Sequence, residues 1–258
     1  MRVLLLAWCL MTASPMARAD TWNATYDAYV AGANALRLTA AIEVGAAGYR
    51  MDVRARTVGM LDLLVGSRQS IQVEGGWHGA LPRPRQFQAE GLWKGERRAT
   101  AIDFHAGLPT IRHLVPADPS REAVPGPARQ DALDRLSPMM LLARQMMRTG
   151  RCEASATTFD GRLLEEITAR TGGWEELSAG YGGIFAGRAL RCEIGLRVTA
   201  GFKPDEDRAH AGRMRRAEVW IAVPAEGALM MPVRFKLDIG WLGSANVILS
   251  GLERTAGP

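Results

Sequence analysis

The sequence predicts a mainly β protein in which one antiparallel sheet is covered by one main helix. From Thr21 onward, most of the chain consists of short runs of alternating apolar and polar residues, separated by Gly, Pro and Asp. One apolar run, residues 137–149, has helical spacing instead. Alternation with a period of two indicates strands with one buried face, and the helix is the natural element to cover that face.

The first 19 residues have the composition of a secretory signal peptide. Arg2 supplies the positive charge, residues 3–11 form the apolar segment, and the Ala-Arg-Ala sequence at 17–19 fits a small-x-small cleavage site. The apolar segment is too short to span a bilayer. We therefore expect cleavage after Ala19, a mature chain that begins at Asp20, periplasmic localisation, and no transmembrane segment after cleavage.

The strand pattern is clearest in the run YRMDVRARTVG, where apolar residues 49, 51, 53 and 55 alternate with charged residues 50, 52, 54 and 56. Similar runs precede and follow it at similar spacing, which predicts an antiparallel meander. A Pro-rich stretch, residues 116–130, then interrupts the pattern and predicts a long loop. Because neither flanking half looks complete alone, we expect residues 20–258 to form a single domain.

The stretch LSPMMLLARQMMRTG predicts the main helix. Ser137 is a suitable N-cap, Pro138 fits the first helical position, and Gly150 fits the C-terminal cap. The apolar residues between them form an unusually broad face. Strands are expected to resume at Cys152, with a hairpin turn at Asp160-Gly161, and Pro232 should lie at a strand start or edge.

The charge of the chain argues against a nucleic-acid partner. Arg2 and Arg18 are the charged residues of the signal segment, which leaves 30 basic and 27 acidic residues in the mature chain, a formal charge of +3. The excess is dispersed along the chain, which is typical of a solvated surface. We expect no nucleic-acid partner; an anionic partner such as a lipid headgroup fits an envelope protein better.

Two cysteines remain once Cys9 is removed with the signal peptide. In an oxidising compartment, Cys152 and Cys192 most simply form one disulfide. The alternative, a redox or metal site, lacks CxxC spacing and nearby histidines. In the chain-entropy model, a bond that closes so long a loop contributes roughly 3–4 kcal/mol.

No catalytic signature occurs in the sequence: HExxH, P-loop, dinucleotide-binding and nucleophile-elbow patterns are all missing. His105 and His113 could meet across a hairpin and imitate a metal site with Asp103, although surface histidines are the commoner outcome. We expect no enzyme activity, no metal site and no cofactor. A hydrolase built from scattered histidines and acidic residues is the weakest alternative, and a convergent cluster of these three residues would favour it.

The methionines suggest a different kind of site. Methionine is flexible and polarizable, so it fills irregular gaps in cores and also lines promiscuous apolar sites. Met139, Met140, Met146 and Met147, with Met230 and Met231 on a later strand, could form an adaptable cavity; ordinary core packing is the alternative. Tryptophans in strand contexts could line the same interior. The candidate ligand-lining residues are Met139, Leu142, Met146, Met147, Trp93 and Trp220, with Trp241 in a similar context.

Several stretches resemble a family of proteobacterial periplasmic proteins, the domain of unknown function 3108 (DUF3108). The opening strands resemble it at Tyr26-Asp27, Gly48 and Thr57-Val58-Gly59. Further matching stretches are LPRPRQFQAEGLWKGERRATAIDF, LDRLSPMMLLARQM, FDGRLLEEI, ALRCEIGLRVTAGF, AEVWIAV and PVRFKLDIGWLGSANVILS. The resemblance covers nearly the whole mature chain. It implies no catalytic residues, because the family has no established activity.

Proteins of this pattern are similar to the lipoprotein carrier and acceptor proteins of the bacterial envelope (LolA/LolB-like). That similarity implies a strongly curved antiparallel sheet, an unclosed half-barrel whose concave side receives acyl chains. The helix would then plug the half-barrel, and a Cys152–Cys192 bond would fix the C-terminal end of the helix.

The leading functional hypothesis is therefore a non-enzymatic periplasmic protein of the cell envelope that binds a lipid, an acyl chain or another hydrophobic ligand. The alternative is an envelope structural or protein-interaction module with a filled core, which would act through its edge strands or its Pro-rich loop. An apolar cavity under the methionine-rich helix distinguishes the two.

Overall fold

The described part of the molecule is organised around a single sheet of 13 strands. The structure is a computed structural model that describes residues 20–180, 182–240 and 243–255. The predicted signal peptide, its Cys9 and Trp241 lie outside the described residues.

The strands are β1 (Thr21–Val30), β2 (Ala33–Val44), β3 (Tyr49–Thr57), β4 (Arg68–His78), β5 (Leu81–Trp93), β6 (Glu96–His105), β7 (Leu108–Val115), β8 (Ala154–Phe159), β9 (Leu164–Leu177), β10 (Gly187–Ala200), β11 (Arg215–Ala222), β12 (Met231–Asp238) and β13 (Ser244–Thr255). The helices are α1 (Gly59–Leu64), α2 (Gly126–Arg129), α3 (Ser137–Thr149) and α4 (Arg208–Ala211). Within the described residues, no helix is both long and apolar enough to cross a bilayer.

The strand order is β7-β6-β5-β4-β3-β2-β1-β13-β12-β11-β10-β9-β8. It consists of two antiparallel meanders, β1–β7 and β8–β13, which join where β1 pairs with β13. The predicted curved antiparallel sheet with one main helix is confirmed. The sheet continues past a half-barrel and wraps into a nearly closed barrel, whose open seam lies between β7 and β8.

Residues 131–134 cross that seam. The Asp131 N–H donates to the carbonyl of Gly107 in the β6–β7 turn, at 2.8 Å. The Leu133 N–H donates to the Thr157 carbonyl of β8, also at 2.8 Å, and Leu133 forms a parallel bridge with Thr158. The two sheet edges are therefore connected through a short extended segment of the long loop that follows β7.

The barrel wall follows directly from the alternation of the sequence. In β3, Met51 and Val53 line the interior, whereas Arg54 and Arg56 are exposed on the outer surface. Successive side chains of a strand point to opposite faces, so one meander supplies both an apolar lining and a charged exterior. Pro232 lies at the start of β12, as its missing N–H predicts.

Two predicted turns differ in detail from the structure. The Pro-rich loop leaves β7 as predicted, but it contains the short helix α2. The hairpin between β8 and β9 has four loop residues, 160–163, instead of a two-residue turn, since Phe159 pairs with Leu164. Asp160 stabilises the longer loop, because its Oδ1 accepts the N–H groups of Arg162 and Leu163.

Helix α3 begins and ends close to the predicted positions, but a different residue caps its start. Ser137 is the first helical residue, and Asp134 Oδ1 accepts the N–H groups of Leu136 and Ser137 at 2.7 and 3.0 Å. The prediction of Ser137 as the N-cap is therefore wrong: Leu136 occupies the N-cap position, and Asp134, two residues earlier, accepts the first N–H groups. Gly150 ends the helix with φ 67°, a left-handed conformation that favours glycine.

The disulfide fastens the exit of this helix to the sheet. Cys152 follows α3, Cys192 lies in β10, and their Sγ atoms are bonded across a sequence separation of 40, with Cα atoms 5.8 Å apart. Both cysteines are completely buried and belong to one cluster with Leu142 and Met146 of α3. The predicted pairing and its position at the C-terminal end of the helix are confirmed.

Candidate functional site

Helix α3 lies inside the barrel, and one of its sides borders a cavity of about 420 Å³. The opposite wall of the cavity comes from β1–β4 and β11–β13 and from the connection between β11 and β12. Its lining residues are Tyr26, Leu38, Ala40, Ile42, Val44, Met51, Val53, Trp77, Leu136, Met139, Met140, Ala143, Arg144, Met147, Ile221, Val223, Ala228, Leu229, Met230, Met231, Pro232, Phe235 and Val247. A volume of this size is within the range of small-molecule sites.

Six methionines contribute to this lining, three from α3, two at the start of β12 and one from β3. They are Met139, Met140, Met147, Met230, Met231 and Met51. Their flexible thioether chains can adjust to ligands of different shape. Of the methionines expected to meet in the interior, the structure places Met139, Met140, Met147, Met230 and Met231 at this cavity, and Met146 on the other side of the helix.

Arg144 is the charged residue among the described residues of the cavity wall. Its guanidinium lies 4.0 Å from the centroid of the Trp77 ring, in a cation–π geometry. Nearby, the side chains of Met147 and Val223 are 60% and 49% exposed. These exposed residues mark the opening of the cavity, at the barrel end where the β11–β12 connection lies.

The other side of α3 is packed against β8–β12. Leu142 and Met146 are only 4% and 3% exposed, and Met146 Sδ lies 4.0 Å from Cys192 Sγ. A smaller cavity, of about 190 Å³, borders Leu142 on this side. Leu142 and Met146 were predicted to line the ligand site, but they belong to the packed side of the helix and not to the larger cavity.

Trp93 and Trp220 were also predicted to line the interior, and the structure places both elsewhere. Trp93 is the last residue of β5 and is 39% exposed at the barrel end. Trp220 packs in a separate cluster with Leu177, Ala189 and other residues, and its indole N–H donates to Glu175 Oε2 at 2.7 Å. The tryptophan that does border the cavity is Trp77.

Sequence reasoning missed the cavity residues that come from the connection between β11 and β12. Val223, Ala228 and Leu229 fold over the opening, although they belong to no strand or helix. Leu38 and Ile42 of β2 follow the alternation of their strand, so this signal was available in the sequence. The sequence contains no comparable pattern that predicts the path of the connection between β11 and β12.

A buried polar chain holds the start of α3 in place. The Ser137 hydroxyl donates to Asp134 Oδ2 and lies 2.6 Å from the Tyr49 hydroxyl of β3. Burial raises the pKa of the Asp134 carboxyl above its usual range, while the hydrogen bonds that it accepts act in the opposite direction. Burial likewise raises the pKa of the Tyr49 hydroxyl. The chain is a fixed anchor that connects the helix to the barrel wall.

The histidines proposed for a metal-like cluster do not converge. In the β6–β7 hairpin, His105 lies opposite Leu108, whereas His113 lies opposite Ala101, near the other end of the pair. Asp103 faces Arg112, with 3.5 Å between Oδ2 and Nε. Across the described residues, no group of three or more His, Cys, Asp or Glu side chains is arranged to hold a metal ion.

The comparisons with known proteins agree with the fold described above. A family model described as "Protein of unknown function (DUF3108)" matches residues 25–250. The chain belongs to this family. The resemblance to DUF3108 is therefore confirmed, and it extends over most of the barrel. No curated protein matches the chain.

Among solved structures, the chain is similar to a crystal structure from Brucella abortus, described as a beta-barrel-like protein of domain of unknown function DUF1849. The two share 13% sequence identity with a TM-score of 0.58, over 93% of this chain and 100% of the other. At this level of identity, the similarity shows the fold alone.

Proposed function

We propose that this protein binds an amphiphilic lipid in the barrel, with the acyl chain in the cavity beside α3, and that it does so without catalysis. The observation that carries the proposal is the apolar cavity of about 420 Å³. Each methylene group that leaves water for such a site contributes about 0.8 kcal/mol. A chain of about ten buried methylenes therefore offers roughly 8 kcal/mol, before the losses of translational and conformational freedom.

Arg144 suggests the chemistry of the other end of the ligand. Its guanidinium lies on the Trp77 ring close to the exposed Met147, where the cavity opens. A carboxylate or phosphate at the opening would accept hydrogen bonds from this guanidinium while the chain stays inside. The preferred ligand class is therefore an anionic amphiphile.

Two features support the periplasm as the place of action. The Cys152–Cys192 disulfide is typical of an oxidising compartment, and residues 1–19 have the composition of a signal peptide. In this compartment, a protein that shelters an acyl chain would serve the maintenance of the cell envelope. The competing proposal, an interaction module with a filled core, is less compatible with a cavity of this size beside α3.

The proposal can be tested by titrating the delipidated mature protein with cis-parinaric acid, an intrinsically fluorescent fatty acid. The informative variant is Ala143→Phe, because Ala143 lies in the cavity wall and a phenyl ring there would occupy the space of the chain. We expect saturable binding by the wild type and at least a roughly tenfold weaker affinity in the variant, a loss of about 1.4 kcal/mol.

The matched control is Ala41→Phe. Ala41 is half-buried like Ala143, but it alternates with the cavity residues Ala40 and Ile42 and lies on the outer face of β2. Its affinity should equal that of the wild type. Equal affinities of the wild type and Ala143→Phe would contradict the proposed site, and a lack of saturable binding would favour the interaction module.

A further inference from the structure

The outer face of the barrel carries a row of arginines that cross-strand pairing places side by side. Arg37 of β2 is opposite Arg56 of β3, Arg56 is opposite Arg68 of β4, and the row continues through Leu92 to Arg97 of β6. Like charges directly opposite each other destabilise a sheet. Folding alone therefore gives no reason for this arrangement.

Little negative charge compensates the row. Arg37 is paired with Asp27, with 2.8 Å between Nε and Oδ1. In the described part of the chain, Arg56, Arg68 and Arg97 form no ion pair. Together with Arg54 and the acidic Glu90, the row lines a shallow groove on the barrel surface. Three guanidinium groups, two of them on directly paired residues, are thus available to an anionic partner.

Helix α1 lies directly beside this row and exposes its apolar residues. It connects β3 to β4, so it is separated from Arg56 and Arg68 by only a few residues. The side chains of Met60, Leu63 and Leu64 are 80%, 88% and 77% exposed, and no residue of α1 is buried. Exposed apolar side chains at this density mark an interaction site.

Two hydrogen bonds attach α1 and the residue before it to the barrel. Asp62 Oδ1 accepts a hydrogen bond from the Thr57 hydroxyl at 2.7 Å, and the Val58 N–H donates to the Ala35 carbonyl at 3.1 Å. These bonds fix the helix to the ends of β2 and β3 while its leucines point away. The β5–β6 turn lies at the same barrel end, and it adds the partly exposed Trp93 next to Leu92.

From these neighbouring features, we propose that the barrel end formed by α1 and the arginine row docks on the surface of an anionic phospholipid bilayer. Protruding apolar side chains next to basic residues are typical of interfacial membrane binding. Tryptophan is also enriched at the level of the lipid headgroups. The cavity opens at the other barrel end, so docking does not depend on the proposed acyl-chain site.

Co-sedimentation with vesicles tests this proposal in the mature protein. We expect binding to vesicles that contain phosphatidylglycerol, and little binding to vesicles of phosphatidylcholine alone. Replacing both Arg56→Gln and Arg68→Gln should weaken the binding about 25-fold, because each basic residue near an anionic surface contributes about fivefold. Replacing Leu63→Ser and Leu64→Ser should weaken it roughly tenfold, since these side chains would no longer enter the interface.

The control removes the same charge from the opposite wall of the barrel. Arg170→Gln with Arg216→Gln alters two exposed arginines of β9 and β11 that have no ion pair within the described residues. This pair should retain wild-type binding, and so should the cavity variant Ala143→Phe. Equal losses in the two arginine pairs, or no preference for anionic vesicles, would overturn the proposal. Binding to a soluble acidic protein but not to vesicles would also overturn it.

Discussion

The two sides of helix α3 differ although the same 13 residues form both of them. On one side, Leu142 and Met146 are buried against β8–β12, next to the disulfide, and the adjoining cavity measures about 190 Å³. On the other side, Met139 and Met147 border a cavity of about 420 Å³ that opens to the surface. Methionine occurs on both sides, so residue type alone does not distinguish a packing site from a binding site.

The difference shows what a methionine-rich helix can do inside a barrel. The packed side and the disulfide hold the helix at a fixed distance from one wall. The remaining space then lies along the opposite wall, where flexible methionines can adjust to a ligand. Stability and binding should therefore respond to substitutions on different sides of the same helix.

Removal of the disulfide should have a large effect on stability. In the variant Cys152→Ala with Cys192→Ala, the unfolded chain regains the freedom of a loop with a sequence separation of 40, which corresponds to about 4 kcal/mol in the chain-entropy model. Urea unfolding of the oxidised wild type and the variant measures this loss. Under conditions where the variant is folded, its affinity for cis-parinaric acid should be unchanged, and a large loss of affinity would show that the open side depends on the disulfide.

The paired variants Met146→Ala and Met147→Ala compare the two sides most directly. Met146 is 3% exposed, so its truncation should cost about 2–5 kcal/mol of unfolding free energy. Met147 is 60% exposed, and its truncation should change stability by no more than about 0.5 kcal/mol. Chemical denaturation measures both values. Similar losses in the two variants would contradict the assignment of a packed and an open side.

Arg144→Gln tests whether the opening selects an anionic head. Loss of the guanidinium should weaken the binding of a fatty acid by about fivefold, roughly 1 kcal/mol, and should leave the binding of the corresponding fatty alcohol nearly unchanged. Competition against cis-parinaric acid gives both affinities. Equal weakening of acid and alcohol would mean that Arg144 acts only through its contact with Trp77.

Asp134→Asn tests the anchor that both sides of the helix share. Burial raises the pKa of Asp134 in the folded protein above its ordinary value of 3.8. The folded state therefore binds the proton more tightly, so this contribution to stability is full below the unfolded pKa and is lost as the pH rises. The asparagine variant lacks this titration. We expect the stability advantage of the wild type over the variant to decrease as the pH rises from 3 to 7. An advantage that grows with pH would contradict the raised pKa.

The sequence was sufficient to predict which side chains of the barrel wall face the interior, because a strand with one buried face alternates apolar and polar residues. Met51 and Val53 could be placed inside, and Arg54 outside, from the period alone. The helix was also predictable, since Pro138 and Gly150 mark its two ends. The disulfide followed from the two cysteines that lie outside the predicted signal peptide.

The faces of the tryptophans could not be predicted in the same way. Residues 219–222 of β11 are all buried, so this apolar run does not indicate which face of the strand carries Trp220. By alternation along β5, Trp93 lies on the same face as the interior residues Phe87 and Ala89. It is the last residue of the strand, however, and lies beyond the packed interior. Helix α1 is too short for its six residues to show a helical period.

The most direct measurement is native mass spectrometry of the mature protein purified from a periplasm, followed by organic extraction and lipid analysis, with Ala143→Phe prepared in parallel. We expect a stoichiometric anionic lipid on the wild type and a strongly reduced amount on the variant. A wild-type mass without any lipid, combined with no saturable binding of cis-parinaric acid, would contradict the proposal that the cavity beside α3 holds an acyl chain.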